Sequence, residues 1–295
     1  LASDIAGAGK PVEWVSLQAA GGLTRVVEQG IEMGRKLKSA IDGQARKEAD
    51  ASQLIIGIKC GASDATSGLI SNPAVGVASD LLIAAGGSSI FCETTELIGA
   101  EHLLARRAVT PEVGDRLIGI IRRLEYEVGR FGMDMRGGQP TPGNMAGGIT
   151  TIEEKSLGAV CKAGLSPLQE ALEYGEQPKG KGLVFMDSPG REIEVFAGLA
   201  SAGAQVMLFS TGLGAPQGFP IAPVIKISAN SHTASWLAEH IDLDISAAMT
   251  GGRTLAQAGE SIRALTFEVA SGRLTAAEKI GYTETLDIFV RGTVI

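Results

Sequence analysis

The sequence predicts an α/β protein built on a mainly parallel sheet with flanking helices. Apolar runs typical of buried parallel strands alternate along the chain with segments of helical periodicity, and polar loops follow the strands. Glycine contributes 40 of the 295 residues, roughly twice its usual share of about 7%, whereas aromatic residues make up only 4%. This composition favours tight turns and close approaches between backbone segments over bulky packing.

Up to residue 130, each predicted element has its own local signal. The run QLIIGIK at 53–59 is continuously apolar and ends in the polar loop CGASDATSG, which is typical of a buried parallel strand. Pro73 suits the first turn of one helix, and Leu117 and Ile121 lie on one face of another. In chain order we predict strands over 11–17, 53–59 and 88–92 and helices over 24–41, 72–85 and 111–130.

The segment 135–148, MRGGQPTPGNMAGG, is rich in glycine and proline, so we predict a hinge or an active-site loop there. It divides the chain into two predicted lobes, one over residues 1–135 and the other over residues 136–295. Beyond it, local periodicity predicts helices over 151–163 and 194–202 and strands over 182–186 and 205–209.

Charge and cysteine usage exclude several classes of partner. Lysine and arginine total 26 against 33 acidic residues, a formal charge of −7, which argues against nucleic acid or an anionic membrane. We predict no transmembrane helix and no signal peptide. Cys60, Cys92 and Cys161 lie far apart without a C-x-x-C pair, which indicates reducing conditions and a cytoplasmic protein acting on a small molecule.

Polar residues follow the predicted strand at 53–59, where open α/β sheets place their ligands. Lys59 could pair with a substrate carboxylate or act as a base, and Ser63 and Asp64 add a hydroxyl and a carboxylate. The structural alternative is a loop in which Asp64 caps the next helix and Lys59 points into solvent.

A second group follows the predicted strand at 88–92. Glu93, Glu96, Glu101 and His102 form the densest set of potential ligands in the chain. Carboxylates with an imidazole suit a divalent iron, manganese or magnesium ion better than zinc. The alternative is a solvated acidic turn.

The glycine loop 212–218 follows the predicted strand at 205–209. Its spacing is GxGxxxG, and Pro216 and Pro220 would interrupt the helix that a dinucleotide site needs. Backbone N–H groups and Thr211 could instead bind a substrate carboxylate. A turn without any ligand is the remaining interpretation.

Five motifs in order along nearly the whole chain resemble the altronate and galactarate dehydratase family. They are KCGASDATSGLISNPAVG (59–76), FCETTELIGAEHLLARRAV (91–109), PTPGNMAGGITTIEEKSLGAVCKAG (140–164), FSTGLGAPQGFPIAPVIKISAN (209–230) and VASGRLT (269–275). Ala62 stands where family members more often have glycine.

The resemblance implies a metal-dependent cytoplasmic dehydratase that eliminates water from a sugar acid, of the altronate or galactarate type, and yields a 2-keto-3-deoxy acid. It also implies a divalent metal, Fe²⁺ or Mn²⁺. Family members carry an additional small N-terminal β-rich domain and a cysteine-containing early segment, so we expect this chain to be the C-terminal region of a longer dehydratase. The family includes the large subunit of sulfolactate sulfo-lyase, which releases sulfite and works with a separate small subunit.

β-Elimination requires groups that neutralise charge on the substrate carboxylate and groups that move protons. Lys59 is the first candidate for the base, and Lys226 is expected to hold carboxylate charge. The predicted site residues are Lys59, Ser63, Asp64, Glu93 and His102 for catalysis, Asn72, Asn144, Thr211, Gly212 and Lys226 for substrate binding, and Glu93, Glu96 and His102 for the metal.

A hypothesis of another class is a non-catalytic module that binds a sugar acid. As partners we expect the small-molecule sugar acid, together with a second copy of the chain or a separate small N-terminal-type subunit. The apolar end FVRGTVI at 289–295 could supply the contact with a second copy.

Overall fold

The computed structural model describes residues 1–282 and 286–291 and divides the chain into two compact units, Leu1–Ala49 and Asp50–Ile295. The first unit contains helices α1 (Ala2–Gly7), α2 (Leu17–Ala20) and α3 (Leu23–Asp42). Helix α3 confirms the helix predicted over 24–41.

The strand predicted over 11–17 is wrong. Residues 11–16 are irregular, and the hydroxyl of Ser16 accepts a hydrogen bond from the backbone N–H of Ala19 at the start of α2. A strand needs a neighbour to share its backbone hydrogen bonds. Residues 1–49 are all described and contain no strand to supply one.

The second unit is built on one seven-stranded sheet in which every strand pair is parallel, in the order β3-β4-β2-β1-β5-β6-β7. This confirms the predicted α/β fold. The strands are β1 (Ile55–Gly61), β2 (Ser88–Phe91), β3 (Leu168–Leu172), β4 (Leu183–Met186), β5 (Val206–Thr211), β6 (Val224–Ser228) and β7 (Leu243–Asp244).

Ten α-helices, separated by short 3₁₀ and π-helical turns, complete the described part of this unit. They are α4 (Asn72–Ala84), α5 (Glu101–Ala105), α6 (Pro111–Gly129), α7 (Met135–Gly138), α8 (Pro142–Ala146), α9 (Ile152–Val160), α10 (Glu192–Ser201), α11 (Ser231–Trp236), α12 (Leu255–Ala270) and α13 (Ala276–Ile280).

Side chains of β1 alternate between two hydrophobic cores, as those of a strand must. Ile56 and Ile58 face the larger core, which contains apolar residues of α4, α6 and α12. On the other face α10 packs so closely that a Cβ at Gly57 would lie 2.9 Å from Leu199 Cδ1. Helices therefore cover both faces, which is the arrangement that parallel sheets require.

One helical stretch among the described residues, Ser67–Ala84, is long and apolar enough by composition to cross a membrane, and half of it is buried within the protein. Its α4 part packs between the sheet and α12. Asp80 on this helix accepts hydrogen bonds from the backbone N–H groups of Leu165 and Ser166. Packing in the core accounts for the apolar character of the stretch.

The order of the strands determines where a ligand can bind. The chain leaves β1 for β2 on one side and leaves β5 for β6 on the other, although β1 and β5 are neighbours. Such a reversal opens a crevice at the carboxyl ends of the two strands. The loops after β1 and β5 are those that the sequence analysis singled out.

The predicted elements after residue 50 are confirmed within a few residues, and several others were missed, among them strands β3, β6 and β7 and helix α12. The segment 135–148 contains α7 and α8. Strands from both sides of residue 135 share the sheet, and the two-lobe division stays a prediction. Of the end segment FVRGTVI, residues 292–295 lie outside the described residues.

Helix α12 contacts α4 through a glycine, which yields a stability prediction. A Cβ at Gly259 would lie 2.4 Å from Val77 Cγ1 and 3.0 Å from the carbonyl oxygen of Ala74. We expect Gly259→Ala to lower the free energy of unfolding by about 1–3 kcal/mol, because the two helices must separate. Denaturant unfolding measures the change.

The matched control is Gly119→Ala on the exposed face of α6, where an added Cβ meets no atom within 4 Å. We expect this variant to gain up to about 1 kcal/mol from helix propensity. Equal effects of the two substitutions would contradict close packing between α4 and α12.

Candidate active site

A cavity of about 320 Å³ opens at the carboxyl end of β1. The loop after β1, the start of α4, the turn after β2 and helix α9 form its walls. The polar residues that line it are Cys60, Ser63, Asp64, Ser67, Asn72, Glu96, Glu154 and Lys155. The cavity thus lies near the crevice that the strand order creates between β1 and β5.

Asp64 is the best-anchored carboxylate of the cavity and is almost fully buried. Its Oδ1 accepts hydrogen bonds from the Thr66 hydroxyl at 2.7 Å and from the backbone N–H of Ser67 at 3.1 Å. Its Oδ2 accepts one from Asn230 Nδ2 at 2.8 Å. A Cβ at Gly212 would lie 2.2 Å from Asp64 Cγ, so only glycine at position 212 allows the loop after β5 to lie against this carboxylate.

Lys155, on α9, is the only cationic residue among the described residues that line the cavity. Its Nζ lies 2.7 Å from Gln139 Oε1, 3.3 Å from Asn144 Oδ1 and 3.3 Å from Glu96 Oε1. Its side chain keeps 11% of its surface accessible. An ammonium group held at the wall of a cavity can bind the carboxylate of a ligand.

A buried cluster of charged groups lies behind the cavity wall. Lys162 Nζ is 2.5 Å from Glu93 Oε2, 3.2 Å from Glu96 Oε2 and 3.2 Å from Cys60 Sγ. The thiol of Cys60 donates a hydrogen bond to Glu96 Oε2 at 2.8 Å. Since Cys60 and Glu96 also line the cavity, the cluster and the cavity are in direct contact.

The pKa shifts in this cluster follow from burial and from neighbouring charges. Burial alone would raise the pKa of Glu96, but the charges of Lys162 and Lys155 outweigh it and lower that pKa to about 2. Burial and the charge of Glu96 raise the pKa of the Cys60 thiol well above its ordinary value. At neutral pH, Glu96 is therefore an anion and Cys60 a neutral thiol.

Lys59 does not fit the role of the base. Its Nζ lies 3.3 Å from Glu93 Oε1 and 3.3 Å from Glu192 Oε1, and 4.5 Å from the centre of the Phe209 ring. Burial opposes its charge, yet the two glutamates raise the pKa of Lys59 above its usual value. Because the side chain is held as an ammonium away from the cavity lining, it acts as a counter-ion for Glu93.

Among the described residues, two that are not glycine adopt the left-handed backbone conformation that favours glycine. Glu93 has φ = 80° and Ala62 has φ = 46°, and such positions cost about 1–3 kcal/mol each. At Glu93 the turn brings the carboxylate back to the end of β1, where Glu93 Oε2 accepts the backbone N–H of Cys60 at 2.9 Å. At Ala62, glycine would adopt this conformation with less strain.

Three side chains offer donor atoms that could hold a metal ion. Cys60 Sγ and carboxylate oxygens of Glu93 and Glu96 all lie within 4.8 Å of one another, a donor set that transition metals accept. However, the ammonium of Lys162 contacts all three side chains. The cluster as folded already contains a cation, so it does not fit an additional divalent ion.

The structure brings most of the other predicted residues to the carboxyl edge of the sheet. Ser63 lines the cavity, and its carbonyl oxygen accepts a hydrogen bond from Asn144 Nδ2 at 2.9 Å. Asn72 Nδ2 donates to the carbonyl oxygen of Gly158 at 3.0 Å. Thr211 Oγ1 accepts the N–H groups of Gly214 and Ala215, each at 3.1 Å. These two hydrogen bonds hold the loop after β5 in its conformation.

Two predicted residues lie apart from this group. His102 is exposed on α5 and belongs neither to the cavity lining nor to the described donor cluster. Lys226 is buried on β6, with its Nζ 4.0 Å from Asp242 Oδ2 and 3.5 Å from the carbonyl oxygen of Gln217. Burial lowers the pKa of Lys226. The structure therefore does not bring His102 together with Glu93 and Glu96.

Sequence reasoning missed Cys60, Lys155, Lys162 and Asn230 as site residues. The sequence did contain a signal for Lys155 and Lys162. They are seven residues apart, and residues at this spacing share one face of a helix. The signal for Asn230 was its position after an unrecognised strand, β6, where it also caps α11. Cys60 lies on β1, one residue beyond the strand predicted over 53–59, and strand periodicity indicates that its side chain points to the opposite face from that of Lys59.

Comparisons with known proteins identify the family of the chain. A family model described as D-galactarate/altronate dehydratase, C-terminal, matches residues 51–293. The chain is 38% identical to (2R)-sulfolactate sulfo-lyase subunit beta of Chromohalobacter salexigens over 94% of this chain and 71% of that protein. It is 37% identical to altronate dehydratase of Bacillus subtilis over 92% of this chain and 54% of that enzyme.

It is also 34% identical to galactarate dehydratase (L-threo-forming) of Escherichia coli, over 91% of this chain and 51% of that enzyme. The chain thus spans about half the length of these two dehydratases. The names of the relatives confirm the prediction of a lyase family. The matched residues and these identities show that the chain belongs to the D-galactarate/altronate dehydratase family, of which it carries the C-terminal region.

Proposed function

We propose that the chain catalyses removal of water from a sugar acid and yields a 2-keto-3-deoxy acid. The observation that carries the proposal is the cavity at the end of β1, where the ammonium of Lys155 and the carboxylate of Asp64 line one space with several neutral polar groups. A hydroxylated carboxylic acid needs this combination of one cation with many hydrogen-bonding partners.

Lys155 is proposed to bind the substrate carboxylate. When the proton on the adjacent carbon C2 is removed, negative charge grows on that carboxylate, and a fixed ammonium stabilises it. Gln139, Asn144 and Glu96 hold the ammonium at the cavity wall. Ser63, Ser67 and Asn72 lie at the cavity surface, where they can contact substrate hydroxyls.

Asp64 is proposed to take the C2 proton. Its position at the end of β1 is fixed by Thr66, Ser67 and Asn230, whereas the low pKa of Glu96 makes Glu96 a poor proton acceptor. The C3 hydroxyl then leaves as water after accepting the proton from the Asp64 carboxyl group. The resulting enol becomes the 2-keto acid when C3 is protonated.

The charge of the cavity supports a substrate with one carboxylate. Its described lining contains one ammonium and the carboxylates of Asp64, Glu96 and Glu154. A second anionic group on the substrate would meet repulsion without a further cation. This favours an altronate-type acid over galactarate or sulfolactate, which each carry two acidic groups.

A second candidate is the large subunit of a sulfolactate sulfo-lyase that releases sulfite. It is favoured by the match to the sulfo-lyase subunit beta, of which the chain covers 71%, against about half of the dehydratases. Under this alternative a separate small subunit would be the partner.

The cofactor, partner and location are further parts of the proposal. Fe²⁺ or Mn²⁺ remains the predicted cofactor, and no step is assigned to it because Lys162 is already in contact with the three donor side chains. A second copy of the chain is the partner proposed for the dehydratase. The cytoplasm is the proposed location.

The reaction is tested with purified protein, assayed anaerobically with Fe²⁺, with Mn²⁺ and after chelation, on altronate, galactarate and sulfolactate. We expect a 2-keto acid from a sugar acid, with altronate the best substrate because its single charge suits the cavity. Sulfite release would establish the second candidate instead. Binding of a sugar acid without any turnover would favour the non-catalytic module.

Replacing Lys155 by methionine tests carboxylate binding. Loss of a charge-assisted hydrogen bond worth about 1.5–3 kcal/mol should raise KM roughly 10- to 100-fold, and Lys155→Arg should restore part of the affinity. Steady-state kinetics give both values. Lys179→Met, on the exposed surface, is the matched control, and an unchanged KM in Lys155→Met would contradict the assignment.

Replacing Asp64 by asparagine tests the base. We expect kcat to fall roughly 10²- to 10⁴-fold, the usual contribution of a positioned proton acceptor, with a smaller change in KM. Exchange of the C2 proton with deuterated solvent, followed by NMR, should be lost as well. Asp115→Asn on the exposed face of α6 is the control, and retained C2 exchange in Asp64→Asn would rule Asp64 out as the base.

A further inference from the structure

Lys162 occupies an unusual position for a lysine. It is fully buried, and its ammonium contacts the thiol of Cys60 and the carboxylates of Glu93 and Glu96 at 2.5–3.2 Å. These are the three side chains whose donor atoms lie within 4.8 Å of one another. The ammonium therefore contacts each ligand that a metal ion would use.

The backbone around Lys162 holds the side chain in this place. Lys162 lies in the 3₁₀ turn Cys161–Ala163 that ends α9. A Cβ at Gly76 of α4 would lie 2.2 Å from the carbonyl oxygen of Cys161, so this turn is packed directly on α4. Just beyond it, Asp80 accepts the N–H groups of Leu165 and Ser166. The turn is thus anchored on both sides of Lys162.

The charges around Lys162 balance without a metal. The Cys60 thiol keeps its proton, donates a hydrogen bond to Glu96 Oε2 and is neutral. Three ammonium groups then face three carboxylates, and these groups belong to Lys59, Lys155, Lys162, Glu93, Glu96 and Glu192. A divalent ion added to this set would leave an uncompensated double charge in the protein interior, which is strongly unfavourable.

We propose that the ammonium of Lys162 is the resident cation of the Cys60–Glu93–Glu96 cluster, and that it excludes divalent metal from a donor set otherwise able to bind one. Lys162 is thus a positioning residue that fixes the carboxylate of Glu96 and the thiol of Cys60 at the wall of the cavity. This inference concerns the cluster itself and does not depend on which substrate the cavity takes.

Removing Lys162 makes the net charge of the cluster negative. Without its charge, the remaining groups carry one net negative charge, and loss of the Cys60 proton on metal binding adds a second. A divalent ion then neutralises the cluster. Thiolate and carboxylate ligands together suit Co²⁺, whose bond to a thiolate gives an intense near-ultraviolet absorption band that reports ligation directly.

The experiment is a Co²⁺ titration of substrate-free protein, followed by that band. We expect wild-type protein to show no band that depends on Cys60, which a parallel titration of Cys60→Ser establishes. We expect Lys162→Met to show the Cys60-dependent band that wild-type protein lacks. The double variant Lys162→Met/Cys60→Ser should lose it again.

Lys226→Met is the matched control, because it removes a fully buried lysine outside this cluster and should leave the Co²⁺ spectrum unchanged. A Cys60-dependent band in wild-type protein would overturn the proposal, and so would its absence in folded Lys162→Met. Should Lys162→Met fail to fold, the wild-type and Cys60→Ser titrations still decide whether the cluster excludes the ion. Activity enters none of these readouts, so failure here is distinguishable from failure of the proposed dehydratase function.

Discussion

The buried ion-pair cluster at the carboxyl ends of β1 and β2 is the constraint on which the rest of the site depends. Isolated charges in a protein interior are very costly, and they persist only when partners compensate them. Here Lys59 and Lys162 contact Glu93 from two sides. The loops after β1 and β2 and the end of α9 must therefore remain where these pairs can form.

Close backbone contacts around the cavity explain much of the high glycine content. A Cβ at Gly158 of α9 would lie 2.8 Å from the Cα of Gly68, and one at Gly147 would lie 2.8 Å from Asp64 Cβ. Together with Gly212, these positions let separate segments approach the carboxyl end of β1 with no side chain between them. Small residues thus make room for the few polar groups that the cavity presents.

The sheet and the edge at which the cavity opens could be predicted because their signals are local. The apolar run of β1 and the polar loop after it indicated a buried strand followed by a candidate site, and Asp64 and Glu96, both named from the sequence, line the cavity there. Strand β6 was missed because its apolar residues follow a long loop rich in proline. The spacing of Lys155 and Lys162 was a signal that they share a helix face, but their partners could not be predicted, because Glu93 and Glu96 lie on a segment distant in sequence.

Helix α9 connects the interior of the protein with the cavity. Lys162 follows its last turn and is fixed among three buried groups, whereas Lys155 lies two turns earlier on the same face and reaches the cavity wall. Both lysines contact Glu96, one at each carboxylate oxygen. A shift of α9 by even one ångström would strain both contacts at once. The buried ammonium and the shared carboxylate therefore fix the position of the Lys155 ammonium, which faces the cavity.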